Sequence, residues 1–238
     1  ASGDAELTAR AIAESQQIFA DYFHAAGYMD HGGGFDASYE HYWAKSALFS
    51  VSVSSRNIDN YTNYRVTLGA DGRWLGMPIN DGKATTRTLE LEAKFPLQAL
   101  VKSAPAVDVR ASVSRNWSSV DAVPRPDNRI AQQVPLSATF TLDHTAGAFT
   151  SGGSFVFKAG GTSRETEFQS AYAHVRRDLD LYSVWKIDPK HQLRLFVGNQ
   201  LHQDVVSESL YRDSTGSVKR IASARSFTNV LALMEMKF

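Results

Sequence analysis

There is no cysteine in the chain, and that absence removes disulfide frameworks, thiolate metal sites and cysteine nucleophiles together. Net charge is missing too: 25 basic side chains stand against 25 acidic ones, so nothing in the balance asks for nucleic acid. No unbroken apolar run approaches the roughly 20 residues that a membrane-spanning helix requires. If the chain crosses a bilayer, it does so as strands. It begins at Ala1 with neither Met nor a basic-apolar leader, which points to a mature form or to a piece of something longer.

What is present is alternation. Phe49, Val51 and Val53 share one face of a strand whose other face is Ser50, Ser52 and Ser54. Over Thr88 to Phe95, Leu89, Leu91, Ala93 and Phe95 oppose Thr88, Glu90, Glu92 and Lys94. The split recurs at Val107 to Ser114 and at Leu136 to Asp143. Further strands are expected at Phe35–Trp43, Phe149–Lys158, Asp178–Ile187, Gln192–Leu201 and Phe227–Phe238. That makes about nine strands of roughly ten residues, the length a tilted strand needs to span a membrane. The last of them ends on the ring of Phe238.

The connections between these strands alternate in length. Short ones fall at residues 44–46, 96–105, 146–147 and 188–191, and long ones at 57–83, 118–134, 159–176 and 202–224. Short turns on one side and long loops on the other are the outer-membrane pattern. Aromatic placement agrees, because rings are most stable at the two membrane interfaces. Trp43, Phe95, Phe149, Trp185 and Phe238 sit at short-turn ends, and Phe35, Trp117 and Phe157 at long-loop ends. Phe149 and Phe157 are separated by about 26 Å along the strand, or about 20 Å vertically at the usual tilt. A soluble sandwich shares the alternation but has no reason for loop lengths that sort by side.

The expected fold class is therefore all-β, a transmembrane antiparallel up-and-down barrel. The apolar face meets lipid, and the lumen carries Asp36, Glu40, Glu90, Glu92, Lys94, Asp108, Arg110, Asp143, Lys158, Asp178, Asp180, Lys186, Arg194, Glu235 and Lys237. So mixed a wall reads as one arc of a wide pore. Residues 1–33 form a separate segment of helix and loop, with Leu7, Ala11, Ile18, Tyr22 and Ala26 at helical spacing and Asp4 as a helix start; residues 34–238 form the barrel.

Several motifs resemble the C-terminal barrel of TonB-dependent outer-membrane transporters. They begin with the acidic-aromatic strand Phe35-Asp36-Ala37-Ser38-Tyr39-Glu40-His41-Tyr42-Trp43 and a Ser/Val-rich strand ending in Ile58-Asp59-Asn60-Tyr61. Pro78-Ile79-Asn80-Asp81-Gly82 then leads into the Glu-rich Leu89-Glu90-Leu91-Glu92. Pro126-Asp127-Asn128-Arg129 precedes Gln132, Gln133 and Pro135; Asn199 and the closing strand complete the likeness, over about residues 34–238. Thr88 stands where the family often has Gly.

The resemblance implies a barrel of 22 strands around an N-terminal plug that bears an energy-coupling box, and this chain holds neither that many strands nor the plug. It is expected to be the C-terminal part of such a transporter, in the bacterial outer membrane. The implied partners are outer-membrane lipid, a second polypeptide supplying the remaining strands and plug, and an inner-membrane energy-coupling complex reached through that plug. The function implied is uptake of a scarce nutrient, whether siderophore, cobalamin, carbohydrate or peptide, by loop binding and passage through a plugged lumen. A self-contained small barrel acting as porin or surface-binding protein is the alternative; a soluble lectin-like module is a third class.

The expected ligand-contacting residues are Arg73 and Trp74, in an extracellular hairpin within Tyr64 to Met77, with Asn80, Asn128 and Arg129 from the family motifs. No cofactor or metal is expected, since His24, Asp30, His31, Asp36 and His41 lie near one another without a compelling ligand spacing. Nor is an enzyme expected: Asp143 beside His144 is the only tempting catalytic pair, and no nucleophile elbow accompanies it.

Overall fold

The computed structural model describes residues 32–44, 46–68 and 74–237, with the backbone alone over 64–68 and 74–76. The helix expected near the start of the chain, Arg73 and the terminal Phe238 lie outside the described residues. Fifteen strands follow in chain order: β1 (Gly34–Ala44), β2 (Ala47–Ile58), β3 (Thr62–Leu68), β4 (Trp74–Asn80), β5 (Ala84–Pro96), β6 (Val107–Val120), β7 (Leu136–Ala146), β8 (Phe149–Lys158), β9 (Gly161–Arg164), β10 (Gln169–Ala173), β11 (Arg176–Lys186), β12 (His191–Gly198), β13 (Val205–Arg212), β14 (Ser217–Ala224) and β15 (Asn229–Met236).

Nine of them make one antiparallel meander in the order β1-β2-β5-β6-β7-β8-β11-β12-β15. These are the nine strands that the alternation marks. Register follows from the pattern, because a slip of one residue would turn every apolar side chain to the wrong face. Tyr39, Val51, Leu91, Val113, Ala138 and Phe157 form one row across six strands. Offset by one residue, Ser38, Ser52, Glu90, Ser114, Ser137 and Lys158 form the neighbouring row on the opposite face.

The apolar rows are open to the surroundings. Phe140 is 44% exposed, Phe149 49% and Trp185 42%. Among the described residues only Ala47, Ala84, Val120, Val123 and Val184 are buried hydrophobics. A soluble sandwich would place these rings in a core; a face this apolar and this exposed is a lipid face. At its short-turn rim, Phe149 stacks on Trp185 with centroids 5.7 Å apart, and Trp43 meets Phe95 at 5.9 Å. At the other rim the Arg115 guanidinium lies 5.5 Å over the Trp117 ring.

Among the described residues two edges of the sheet are unpaired: β1 bonds only β2, and β15 only β12. Every residue of β1 is exposed. In hydrocarbon, such a row of free N–H and C=O groups costs several kcal/mol per group, so neither edge is a stable boundary in a membrane.

The small buried core lies at the long-loop end, where β2, β5 and β6 leave the lipid face. Ala84, Val120 and Val123 are packed by Ile58, Tyr61 and Ile130. This core seats the connections that rise above the sheet.

Candidate functional site

Three long connections carry secondary structure of their own. The first is the β3–β4 hairpin expected within 64–77, paired from Thr62↔Asn80 to Leu68↔Trp74. The other two, between β8 and β11 and between β12 and β15, combine into a second sheet of order β14-β13-β10-β9. A fourth connection, residues 121–135, crosses between the hairpin and this loop sheet.

Polar side chains fasten these pieces together. Asn128 Nδ2 donates to the Val120 carbonyl at 2.9 Å, while the Val120 amide donates to the Asn128 carbonyl at 2.7 Å. Arg129 Nε donates to the Thr162 carbonyl at 2.7 Å, and Arg129 Nη2 shares that acceptor. The fit needs Gly161 beside it: φ there is +148°, and a Cβ would stand 2.7 Å from the Arg129 guanidinium. The Arg164 amide donates to the Asp127 carbonyl at 2.6 Å, and Asn63 Nδ2 to the Glu165 carbonyl at 3.0 Å. Asn116 Nδ2 reaches the Val134 carbonyl at 2.9 Å, and Ser118 Oγ reaches Gln133 Oε1 at 2.6 Å.

The expected ligand residues are thus distributed as follows. Trp74 opens β4 opposite Leu68. Asn80 closes the hairpin, donating from Nδ2 to Asn60 Oδ1 at 2.9 Å and accepting the Gly82 amide at 2.8 Å. Asn128 and Arg129 are brought together on the crossing, where both bond backbone carbonyls of the surrounding loops. Sequence reasoning passed over the loop sheet, whose side chains carry the remaining chemistry. Its strands carry no clean alternation to mark them: Ser207, Ser209 and Tyr211 share one face of β13, and Glu208 and Leu210 the other.

In the loop sheet Glu208 of β13 accepts from Lys219 Nζ of β14 at 2.5 Å and pairs with His174 Nε2 at 3.0 Å. Both contacts hold its carboxyl below the usual value, Lys219 first. The His174 ring in turn meets Tyr172 edge to face, with centroids 5.0 Å apart. Asp213, in the turn before β14, is lowered by hydrogen bonds from the Thr215 hydroxyl and amide. Half-buried Glu165 moves the other way, pushed up by burial. Tyr61, beneath it in the small core, is raised by burial, with Asp81 and Glu165 adding to the shift and a backbone bond at Ala131 opposing it.

On the lumen face Arg56 Nη2 bonds Asp36 Oδ2 at 2.6 Å, and Tyr182 donates to Asp143. His144 is the next residue along β7 and therefore points to the opposite face, where its Nδ1 lies 3.1 Å from the Ala106 carbonyl. Asp143 and His144 do not converge on one reaction centre. Asp36 and His41 likewise project from opposite faces of β1.

An antiparallel meander with a lipid face, a charged lumen face and tall loops on one side defines the barrel fold of outer-membrane transporters. The solved structures agree. The copper transporter OprC superposes with a TM-score of 0.65 at 16% identity, over 87% of this chain and 32% of that one. The outer membrane transporter YddB from Escherichia coli gives 0.55 at 12% identity over the same shares. The likeness is one of fold, and the chain spans about a third of the length of these structures. No family model and no curated protein sequence matches the chain.

Proposed function

We propose that this chain is the C-terminal barrel portion of a TonB-dependent outer-membrane transporter. It takes up a scarce nutrient that binds at the long loops and passes through a plugged lumen. The observation that carries this reading is that, among the described residues, both edge strands, β1 and β15, lack an outer neighbour. A nine-stranded arc in lipid needs further strands at both edges to satisfy its backbone. The share of the matched transporters that the chain spans supports the same reading. In this reading the remaining strands and the plug come from further polypeptide, and the plug links the barrel to an energy-coupling complex in the inner membrane. No covalent chemistry is involved, and the charged lumen wall serves solvation and plug contact.

Detergent extraction of the native outer membrane, followed by native-gel and intact-mass analysis of the particle that contains these residues, tests the proposal. A particle well above 26.2 kDa, holding further strands and a plug, is the expected result. A heat-resistant monomer of 26.2 kDa that conducts ions overturns it in favour of a small independent barrel.

A further inference from the structure

At the foot of the loop sheet lies a cavity in which one charge is left unanswered. It has a volume of about 400 Å³ and is lined by Gln132 of the crossing and by Glu165, Ala171, Tyr172, His174 and Val205, among others. That size lies within the range of small-molecule sites. The other acidic and basic groups on its wall are already engaged. Glu208 is bonded by Lys219 and His174, Arg176 Nε bonds Asp178 at 2.8 Å, and Asp204 accepts the Ser226 amide at 3.0 Å. The Glu165 carboxylate is half-buried and meets neither a hydrogen-bond donor nor a cation among the described residues.

A carboxylate stripped of part of its water and given nothing in exchange gains most from a positively charged guest. We propose that this cavity binds a small organic cation, a protonated amine on an apolar body, with Glu165 as its counter-ion and Ala171, Ala173 and Val205 as the apolar part of its wall. An anion would meet the unbalanced Glu165, and a neutral guest would leave that carboxylate unpaired. A bare divalent ion is poorly served, because among the described residues no three metal-ligating side chains gather. A cation seated beside the Glu165 carboxyl would favour its charged form and oppose the upward push that burial gives it. This inference deepens the transporter reading, on which it rests, by assigning a class of cargo to its loops.

The test uses tyramine and its uncharged isostere 4-propylphenol, titrated calorimetrically into the complete detergent-extracted particle. Tyramine is expected to bind about tenfold more tightly than 4-propylphenol, since one charge-assisted hydrogen bond separates them. E165Q is expected to abolish that margin, and A171F, which fills the cavity, to weaken both probes. Equal affinities in the wild type, absence of tyramine binding, or a margin retained in E165Q overturns the inference. Each of those results leaves the transporter reading standing, because that reading is judged by the mass and membrane origin of the same particle. A chain found outside an outer-membrane particle removes both.

Discussion

Tyr182 on β11 reaches across β8 and donates its hydroxyl to Asp143 on β7. The strand between them offers Gly152 at the crossing point, and a Cβ there would stand 2.6 Å from the Asp143 carboxylate and 2.8 Å from the Tyr182 ring. Three strands are thereby tied by one hydrogen bond over one missing side chain. Gly152→Val is expected to destabilise the sheet by about 1–3 kcal/mol through forced displacement of the ring. Tyr182→Phe, which keeps the ring but removes the donor, is expected to cost about 1 kcal/mol. Urea unfolding in detergent, read by mobility of heated and unheated samples on gels, distinguishes the two. Equal stability of wild type and Gly152→Val would refute the crossing.

Neighbouring residues on β7 make opposite predictions. Phe140 stands on the lipid face near the middle of the strand, and Thr141 on the lumen face. Phe140→Arg is expected to cost about 2–4 kcal/mol, the range for a cation near the bilayer midplane. Thr141→Arg, which would stand opposite Arg110 in the lumen, is expected to cost no more than about 1 kcal/mol. Folding into lipid vesicles with urea titration measures both, and similar costs would mean that the faces are assigned wrongly.

Removal of Arg129 should loosen the loop sheet from the crossing, leaving the bond from the Arg164 amide to the Asp127 carbonyl. Arg129→Ala leaves the Thr162 carbonyl without its donor and is expected to cost about 1–2 kcal/mol locally. Hydrogen exchange over 159–176 should accelerate, while the membrane-spanning strands keep their protection. Gly161→Ala is expected to do the same from the other side of the contact.

Glu208 gives the loop sheet an acid limit. Its carboxyl lies below the ordinary value of 4.5 in the folded state because Lys219 and His174 bond the charged form. A lowered carboxyl contributes stability that is fully present above the unfolded value and lost as pH falls through the folded one. Amides of β13 and β14 should therefore exchange faster once pH falls below about 4.5, and Glu208→Gln should flatten that dependence. An unchanged profile in Glu208→Gln would show that these contacts do not hold the sheet.

The nine spanning strands were legible because lipid on one side and water on the other impose a strict alternation. β8 runs from Phe149 to Lys158, as the alternation expects. β5 starts at Ala84, four residues before the alternation makes itself plain. Beyond the bilayer both faces of that strand meet water or loops, so Thr85 and Thr86 carry no apolar code. They are held instead by hydroxyl contacts, Thr85 to Ser119 at 2.9 Å and Gln133 Nε2 to Thr86 at 3.3 Å. The loop strands were hidden for a related reason. β10 has five residues, and its partner β13 lies more than thirty positions away. Asn128 and Arg129 stood out as a motif, and the structure shows what they fasten. Glu165 was not legible as a site residue, since the cavity wall it joins is assembled from the crossing, β10 and β13, which lie far apart in the chain.

Strand direction sets one further condition on the open arc. Successive strands of a meander reverse, so the first and ninth, β1 and β15, run the same way, from the loop end to the turn end. Joined to each other they would have to pair in parallel, against the grain of an up-and-down barrel. Whatever completes the wall must therefore insert an odd number of strands between them, beginning and ending with a strand that runs from the turn end to the loop end.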